Sequence, residues 1–314
     1  MKLTHSVVIC SRGREATLVS CVENLKNTLD FESIQLIIVL NGISNEEFER
    51  TRTQLSDLKL PNLNILISNP GLAIARNKAL SSINTDLVTF LDDDVEVPPN
   101  FFREIDLAMY LDSGISGLAP RISGLFPKFS QENWLRIFHR YIQKRKFGQL
   151  TSFGNNYWIP DDPNFQAIRV DWLPGCSMTY RASRIKDMQF EVALMNGPTG
   201  GYSLGEDVEF SSRVGNLFAI PSISIKHSHE TSIRDNDFIM AKAKGRWIAY
   251  LVKNKRQRVS GFKSVLWMVL SLGSYFLLDI IHPKNNFVKT RNKVIQIQFY
   301  FKELIKPELV IKND

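Results

Sequence analysis

Between Ser6 and Leu91, short β-branched runs alternate with segments of helical periodicity, and this alternation limits the fold more than any other feature of the chain. Ser6–Cys10, Ile34–Leu40, Leu63–Ile67 and Leu87–Leu91 read as short buried strands. Between them, Leu18, Cys21, Val22, Leu25 and Leu29 recur at helical spacing, and Ser44 and Glu47 form a capping box ahead of a polar helix. Ala73–Ile83 has helical character as well. Strands joined by helices predict an α/β fold with a mostly parallel central sheet and helices on both faces. Ligands of such sheets gather at the carboxyl ends of the strands.

Composition narrows the class further. The 314 residues are 44% hydrophobic and 23% charged, which supplies a full core and excludes a disordered chain. Cys10, Cys21 and Cys176 are too few and too scattered for a disulfide framework or a zinc site, and fit a reducing compartment. The first residues run into a strand-like segment without the plan of a signal peptide, so secretion is not expected. Collagen-like repeats, a coiled coil and a polytopic membrane protein are not expected from the pattern. The formal net charge is +7.

Beyond about Arg121 the pattern loosens. Asp171–Tyr180 and Ser222–Lys226 read as further strands. Lys242 to Lys263 contains eight basic residues and no acidic one, and the run from Val265 to Leu278 is almost wholly apolar. That run is shorter than the roughly 20 residues a spanning helix needs. It reads either as a buried core helix or as an interfacial or re-entrant membrane helix, with the basic flank facing anionic headgroups and Trp267 and Tyr275 at the interface. Trp134–Lys146, which mixes aromatic and basic residues, is a second candidate membrane contact.

Several residues at strand ends can carry chemistry. Asp92, Asp93 and Asp94 follow the strand that ends at Leu91. In extended backbone Asp92 and Asp94 share a face and Asp93 points the other way. Two carboxylates about 5 Å apart repel by roughly 3 kcal/mol at an effective dielectric near 20, and a hard divalent cation removes that cost. The plainer reading is a solvated acidic turn. Gly71–Asn77 opens a helix whose N-terminus suits an anion, with Arg76 as a planar fork of donors, although Gly is also an ordinary cap. The turn Ser11–Arg14 is basic and polar, fit for a nucleotide or for an unremarkable loop. Glu206 and Asp207 begin another helix, either as simple complements to its dipole or with one as a proton acceptor for a hydroxyl nucleophile. Gly197–Gly201 before them suits a closing loop. His227 and His229 stand at i and i+2 on a strand, where either can reach a metal or serve structure alone.

In order, these segments are a strand with a basic turn, Val39-Leu40-Asn41-Gly42, Gly71-Leu72-Ala73-Ile74-Ala75-Arg76-Asn77, Phe90-Leu91-Asp92-Asp93-Asp94, Asp171-Trp172-Leu173-Pro174-Gly175-Cys176 and Gly205-Glu206-Asp207-Val208-Glu209. Together they resemble a family 2 glycosyltransferase with the GT-A nucleotide-diphospho-sugar transferase fold, over roughly residues 4 to 230. The resemblance implies an inverting displacement at the anomeric carbon of the donor sugar. It implies a Mg²⁺ or Mn²⁺ site at Asp94 and Asp92, with His227 or His229 as a further ligand. The implied donor nucleotide site is Ser11, Arg12, Arg14, Asn41, Arg76, Asn77, Asp92 and Asp93. Asp207 is the implied general base, and Trp172, Gly175, Cys176 and Glu206 the implied sugar and acceptor segment. One departure stands out: relatives end the second strand in Asp-Asp or Asp-Asn, where this chain has Leu40-Asn41. Asn41 can both donate and accept, so it can still read uracil or thymine.

The expected organisation is a catalytic domain over 1–235, split into a nucleotide-sugar half (1–120) and an acceptor half (121–235), followed by a basic, apolar, membrane-associating helical region over 236–314. The expected activity is transfer of a hexosyl group from a UDP, dTDP or GDP sugar to a glycan or lipid-linked hydroxyl, in polysaccharide or glycolipid assembly at the cytoplasmic face of a membrane, with no nucleic-acid partner. The competing readings are a sugar-phosphate nucleotidyltransferase and a non-catalytic membrane-bound scaffold of the same fold.

Overall fold

The computed structural model describes residues 3–123, 147–154, 156, 158–194, 204–227, 237–254, 259–281 and 287–306. His229, the Gly197–Gly201 loop and the Trp134–Lys146 segment lie outside the described residues. The chain forms two compact units, Met1–Gln149 with Tyr157–Glu230, and Leu150–Asn156 with Thr231–Asp314.

In the first unit the order is β1 (His5–Ser11), α1 (Glu15–Lys26), β2 (Ile34–Asn41), α2 (Asn45–Asp57), β3 (Leu63–Ser68), α3 (Leu72–Leu80), β4 (Leu87–Leu91), β5 (Val95–Glu96), α4 (Phe101–Leu111), β6 (Gly117–Ser123), β7 (Ile168–Val170), β8 (Ser177–Arg181), α5 (Ala182–Ile185), α6 (Glu206–Val214) and β9 (Leu217–His227). One sheet joins these strands in the order β3-β2-β1-β4-β8-β6-β9-β5, with β7 paired to β9. The interior strands carry continuous apolar runs because both faces are covered: Val7, Val8, Ile9, Ile37, Ile38, Val39, Val88 and Phe90 are all buried. The edge strand β3 is only half-buried.

The sheet is mixed, which corrects the expectation of a mostly parallel one. β3, β2, β1 and β4 run parallel, as the alternation predicts. β8 then joins β4 antiparallel, and β6, β7 and β5 add further antiparallel pairings, so the described strands hold four pairings of each kind. β9 takes part in both kinds of pairing, parallel to β6 and antiparallel to β5 and β7, and its burial alternates along its length.

A second correction concerns Asp171–Tyr180, where only β8 is strand and 171–176 is irregular, ending in a turn at Gly175 and Cys176. Pro174 has no amide hydrogen for a ladder, and the Gly175 amide and carbonyl are used by Asp207 and Arg76.

The capping box at α2 is present: Glu47 N donates to Ser44 Oγ (3.2 Å) and Ser44 N donates to Glu47 Oε2 (2.8 Å). Ser44→Ala is expected to lower stability by about 1 kcal/mol in urea unfolding, since one helix-end donor loses its acceptor.

The second unit contains α7 (Asp237–Lys253), α8 (Gly261–Ile281) and α9 (Val288–Ile305). Trp247 Nε1 donates to the Gly154 carbonyl (3.1 Å), and Phe153 stacks on Trp267. The apolar run from Val265 lies within α8. Its Trp267, Met268 and Ser271 are buried, while Leu266, Val269, Leu270 and Leu277 are exposed. Trp267 is therefore a core residue of this unit and not an interfacial anchor: its ring finds an aromatic partner inside. Among the described residues no helix is long and apolar enough to cross a membrane.

Candidate active site

Three strand ends meet at the acidic turn. β4 stops at Leu91, and Asp92 N donates to the Cys176 carbonyl (3.1 Å), which ties the start of the turn to the segment before β8. Although the backbone leaves the extended region here, the three carboxylates still divide as strand geometry suggests. Asp93 turns into the sheet and is buried, accepting from Ser11 Oγ (2.5 Å) and from the Arg14 guanidinium. Burial pushes its carboxyl up to about 6, against the lowering pull of Arg14 and Ser11. Asp92 and Asp94 face the other way, toward His227 at the end of β9.

One ligand atom from each of Asp92, Asp94 and His227 lies within 4.8 Å of the other two. His227 Nε2 is 2.9 Å from Asp94 Oδ1 and 3.8 Å from Asp92 Oδ2. Pairing of β5 with β9 places Val95 opposite His227, so a two-residue strand delivers the imidazole to the turn. Burial acts to raise the Asp94 carboxyl, but hydrogen bonding and charge from His227, with the charge of Arg14, outweigh it and hold it at about 2. Two carboxylates that share a small space with one imidazole fit a divalent cation with oxygen and nitrogen ligands, Mn²⁺ or Mg²⁺ before softer ions. Burial pushes the neighbouring Cys10 thiol up to about 12, so it adds no thiolate to this set.

Asp207 stands in the first turn of α6, behind Gly205 in a left-handed conformation. Its Oδ2 accepts from Gly175 N (2.8 Å) and its Oδ1 from Val208 N (2.8 Å). Burial and the adjacent Glu206 carboxylate nonetheless push it up to about 6, beyond what those amides and Arg76 offset. A carboxylate tuned in this way suits a proton acceptor near neutral pH. Gly175 is the residue that fits between the partners: a Cβ there would lie 3.0 Å from Arg76 Nη2 and 3.1 Å from Asp207 Oδ2.

Arg76 links the two clusters. It is buried in α3, with Nη1 on Glu206 Oε1 (2.9 Å), Nη2 on the Gly175 carbonyl (3.0 Å) and Nη2 3.6 Å from Asp92 Oδ1. Its guanidinium also lies over the Phe190 ring, 5.4 Å from the centroid. The residue expected to hold nucleotide is thus the internal counter-ion of Glu206 and Asp92. Arg76→Met is expected to cost about 3–5 kcal/mol in urea unfolding, because it strands buried carboxylates. The double variant Arg76→Met/Glu206→Gln should recover part of that loss.

Other expected donor residues also have work inside the protein. Asn41 Nδ2 donates to the Ser11 carbonyl (2.9 Å), and its Oδ1 accepts from Gly71 N (3.3 Å), which pins the ends of β1 and β2 to the start of α3. This close approach needs Gly42 after it, with φ +62° and no room for a Cβ against Pro70. Asn77 spends its amide on both backbone groups of Phe190. Arg14 is about one-third exposed and bridges Asp93 to Asp94. Arg12 is exposed on the turn after β1. Trp172 is buried edge-on against Trp158, and Cys176 is buried beside Asp92 through its carbonyl. Sequence reasoning missed Ser211, whose hydroxyl accepts from Leu173 N (3.1 Å) and donates to the Asp207 carbonyl. Its place four residues after Asp207, on the same helix face, was the available signal.

A mixed sheet that gathers a carboxylate–histidine centre and a raised carboxylate beyond its strand ends defines a GT-A-like α/β fold. The chain belongs to glycosyl transferase family 2, whose profile matches residues 6–168. It is similar to the "Pre-mycofactocin glycosyltransferase" of Mycobacterium tuberculosis (strain CDC 1551 / Oshkosh), 24% identical over 282 residues that cover 83% of this chain and 53% of the relative. It is also similar to the "Glucosyl-dolichyl phosphate glucuronosyltransferase" of Haloferax volcanii, 28% identical over 102 residues, 32% of each chain. The chain thus spans about half the length of the first of these relatives. Among solved structures, the mannosyltransferase PcManGT from Pyrobaculum calidifontis, in complex with GDP-Man and Mn²⁺, matches 97% of this chain and 88% of its own at a TM-score of 0.57 and 10% identity. GalNAc-T7 with UDP, GalNAc and Mn²⁺ matches 73% of this chain and 44% of its own at 0.55 and 15% identity. At these identities the likeness concerns the fold.

Proposed function

We propose that this chain transfers a hexosyl group from a nucleoside-diphosphate sugar to a hydroxyl of a glycan or lipid-linked acceptor, with inversion at the anomeric carbon, at the cytoplasmic face of a membrane. The observation that carries the reading is the pairing of two centres: the Asp92–Asp94–His227 cluster and the raised Asp207 carboxylate, joined through Arg76 and Gly175. Asp92, Asp94 and His227 would hold Mg²⁺ or Mn²⁺, which would supply positive charge to offset that developing on a diphosphate leaving group.

The protein groups then have defined tasks. Asp207 accepts the proton of the acceptor hydroxyl as its oxygen bonds to the anomeric carbon and the bond from that carbon to the diphosphate oxygen breaks. The Gly175 and Val208 amides hold the Asp207 carboxylate in place, and Arg76 keeps Glu206 from raising its pKa further. Arg14 and Ser11 fix Asp93, which sets the turn that presents Asp92 and Asp94.

Both solved relatives were captured with Mn²⁺ and with UDP or GDP-Man, which supports the donor class without choosing the base. The test is thermal unfolding with UDP, dTDP, GDP and CMP, each with Mn²⁺, Mg²⁺ or chelator. A nucleotide at about 100 times its dissociation constant stabilises the fold by about 2.7 kcal/mol. The expected result is a metal-dependent shift with one nucleoside diphosphate, followed by sugar transfer from the matching donor. Release of pyrophosphate from a nucleoside triphosphate and a sugar phosphate would instead make the chain a nucleotidyltransferase.

A further inference from the structure

The second unit presents an apolar face that nothing among the described residues covers. On α8, Phe262, Leu266, Leu270, Phe276, Leu277 and Ile280 are 47–79% exposed. Successive members lie four, four, six, one and three positions apart, which at 100° per residue keeps all six within about a third of the helix circumference. Opposite them Ser264, Trp267, Met268 and Ser271 are buried. A second stripe runs along α9 through Val294, Phe301 and Ile305, spaced seven and four residues apart, the last 81% exposed, and exposed Phe287 caps the start of the same helix. The two stripes meet where the Phe276 and Phe287 rings lie 6.0 Å apart. Asp279 fixes the junction by accepting from Thr290 N (3.0 Å) and Thr290 Oγ1 (2.6 Å). Scattered exposed leucines are ordinary, but a continuous apolar face across two pinned helices marks a contact surface.

Charge identifies the occupant. Residues 231–314 hold sixteen Lys and Arg against six Asp and Glu, an excess of ten on a chain whose total excess is seven. Exposed Lys263, Arg291 and Lys302 stand on α8 and α9 themselves. Asp279 is buried on Thr290, and Glu303 is held by Arg246 and Lys306, so neither is available to a neighbour's lysines. A second copy of this face would bring two strongly cationic units together. An anionic bilayer offers both an apolar interior for the stripe and negative headgroups for the flanking cations. We infer that α8 and α9 dock flat on an anionic lipid surface, with the stripe of Phe262, Leu266, Leu270, Leu277 and Ile280 inserted at the acyl boundary and no helix crossing. This inference supplies the contact surface for the membrane location proposed above, and it does not depend on the sugar-transfer chemistry.

The experiment is co-sedimentation of the full chain with vesicles of phosphatidylcholine alone and of phosphatidylcholine with phosphatidylglycerol. Binding to the anionic vesicles, weak binding to the neutral ones and loss in high salt are expected. Leu266→Ser/Leu270→Ser/Leu277→Ser removes apolar surface without changing charge and should weaken binding about a hundredfold. Leu111→Ser, at an exposed site on α4 in the first unit, should change nothing. Each variant's thermal unfolding and nucleotide-induced shift are measured alongside, so that misfolding or a failed donor site is distinguished from a failed surface. The inference is overturned by absence of vesicle binding, by binding that the triple variant retains, or by self-association of the wild type that the triple variant abolishes in place of vesicle binding.

Discussion

Asp207→Asn is expected to lower kcat by about 10²–10⁴, while the metal-dependent nucleotide shift stays close to wild type. The asparagine keeps the size of the side chain and can still accept from one of the two amides now held, Gly175 N or Val208 N. It cannot take a proton from an attacking hydroxyl. The pH profile supplies an independent reading of the same group. The base acts in its ionised form, and the Asp207 carboxyl is pushed up to about 6, so kcat/KM should be flat above that pH. Below it the rate should fall about tenfold per unit as the carboxyl protonates. Asp93 is also raised to about 6, but its partners are Ser11 and Arg14. The acidic limb should therefore persist in Asp93→Asn. A limb that disappears in that variant, or Asp207→Asn at wild-type turnover, removes Asp207 from the role of base.

Asp94→Ala is expected to weaken metal-dependent donor binding by about a hundredfold or more, as seen in the loss of the nucleotide-induced thermal shift. The change removes a ligand and also leaves His227 Nε2 and Arg14 Nη1 without the carboxylate each now meets at 2.9 Å. Held at about 2, the Asp94 carboxyl remains ionised across the range in which Asp207 titrates. Chelator should reproduce the defect in the wild type and add nothing to it in Asp94→Ala. Equal nucleotide binding with and without divalent ions in the wild type sinks the metal assignment, whatever the variant does.

Much of the first unit is legible residue by residue. The runs that become β1, β2, β3 and β4 are short, β-branched and bounded by turn residues, and their structure agrees with their local preference. The capping box at Ser44 and Glu47 depends on atoms three residues apart, so sequence alone reveals it. The division of Asp92 and Asp94 from Asp93 follows from alternation along the backbone, and it persists through a turn. What could not be read locally is pairing across long separations. His227 meets Asp94 from 133 positions away, and Arg76 meets Glu206 from 130. No periodicity encodes such a partner, so Arg76 read as a ligand-facing fork when its donors are in fact turned inward onto carboxylates.

The mixed sheet has the same origin. The direction of a strand is not written in its residues, and β8 runs antiparallel to β4 because of where the preceding turn delivers it. In the second unit, composition marks α8 as apolar but does not say which side of it is buried. That is decided by the packing of Trp267 and Met268 inward and of Leu266 and Leu270 outward. Sequence by itself determined the strands β1 to β4, the cap of α2 and the set of acids and bases, since each rests on chemistry within a few residues. Only the tertiary structure decided which of those groups neutralise one another and which remain directed at a ligand, because burial and charge pairing are set by neighbours that the chain brings together only when folded.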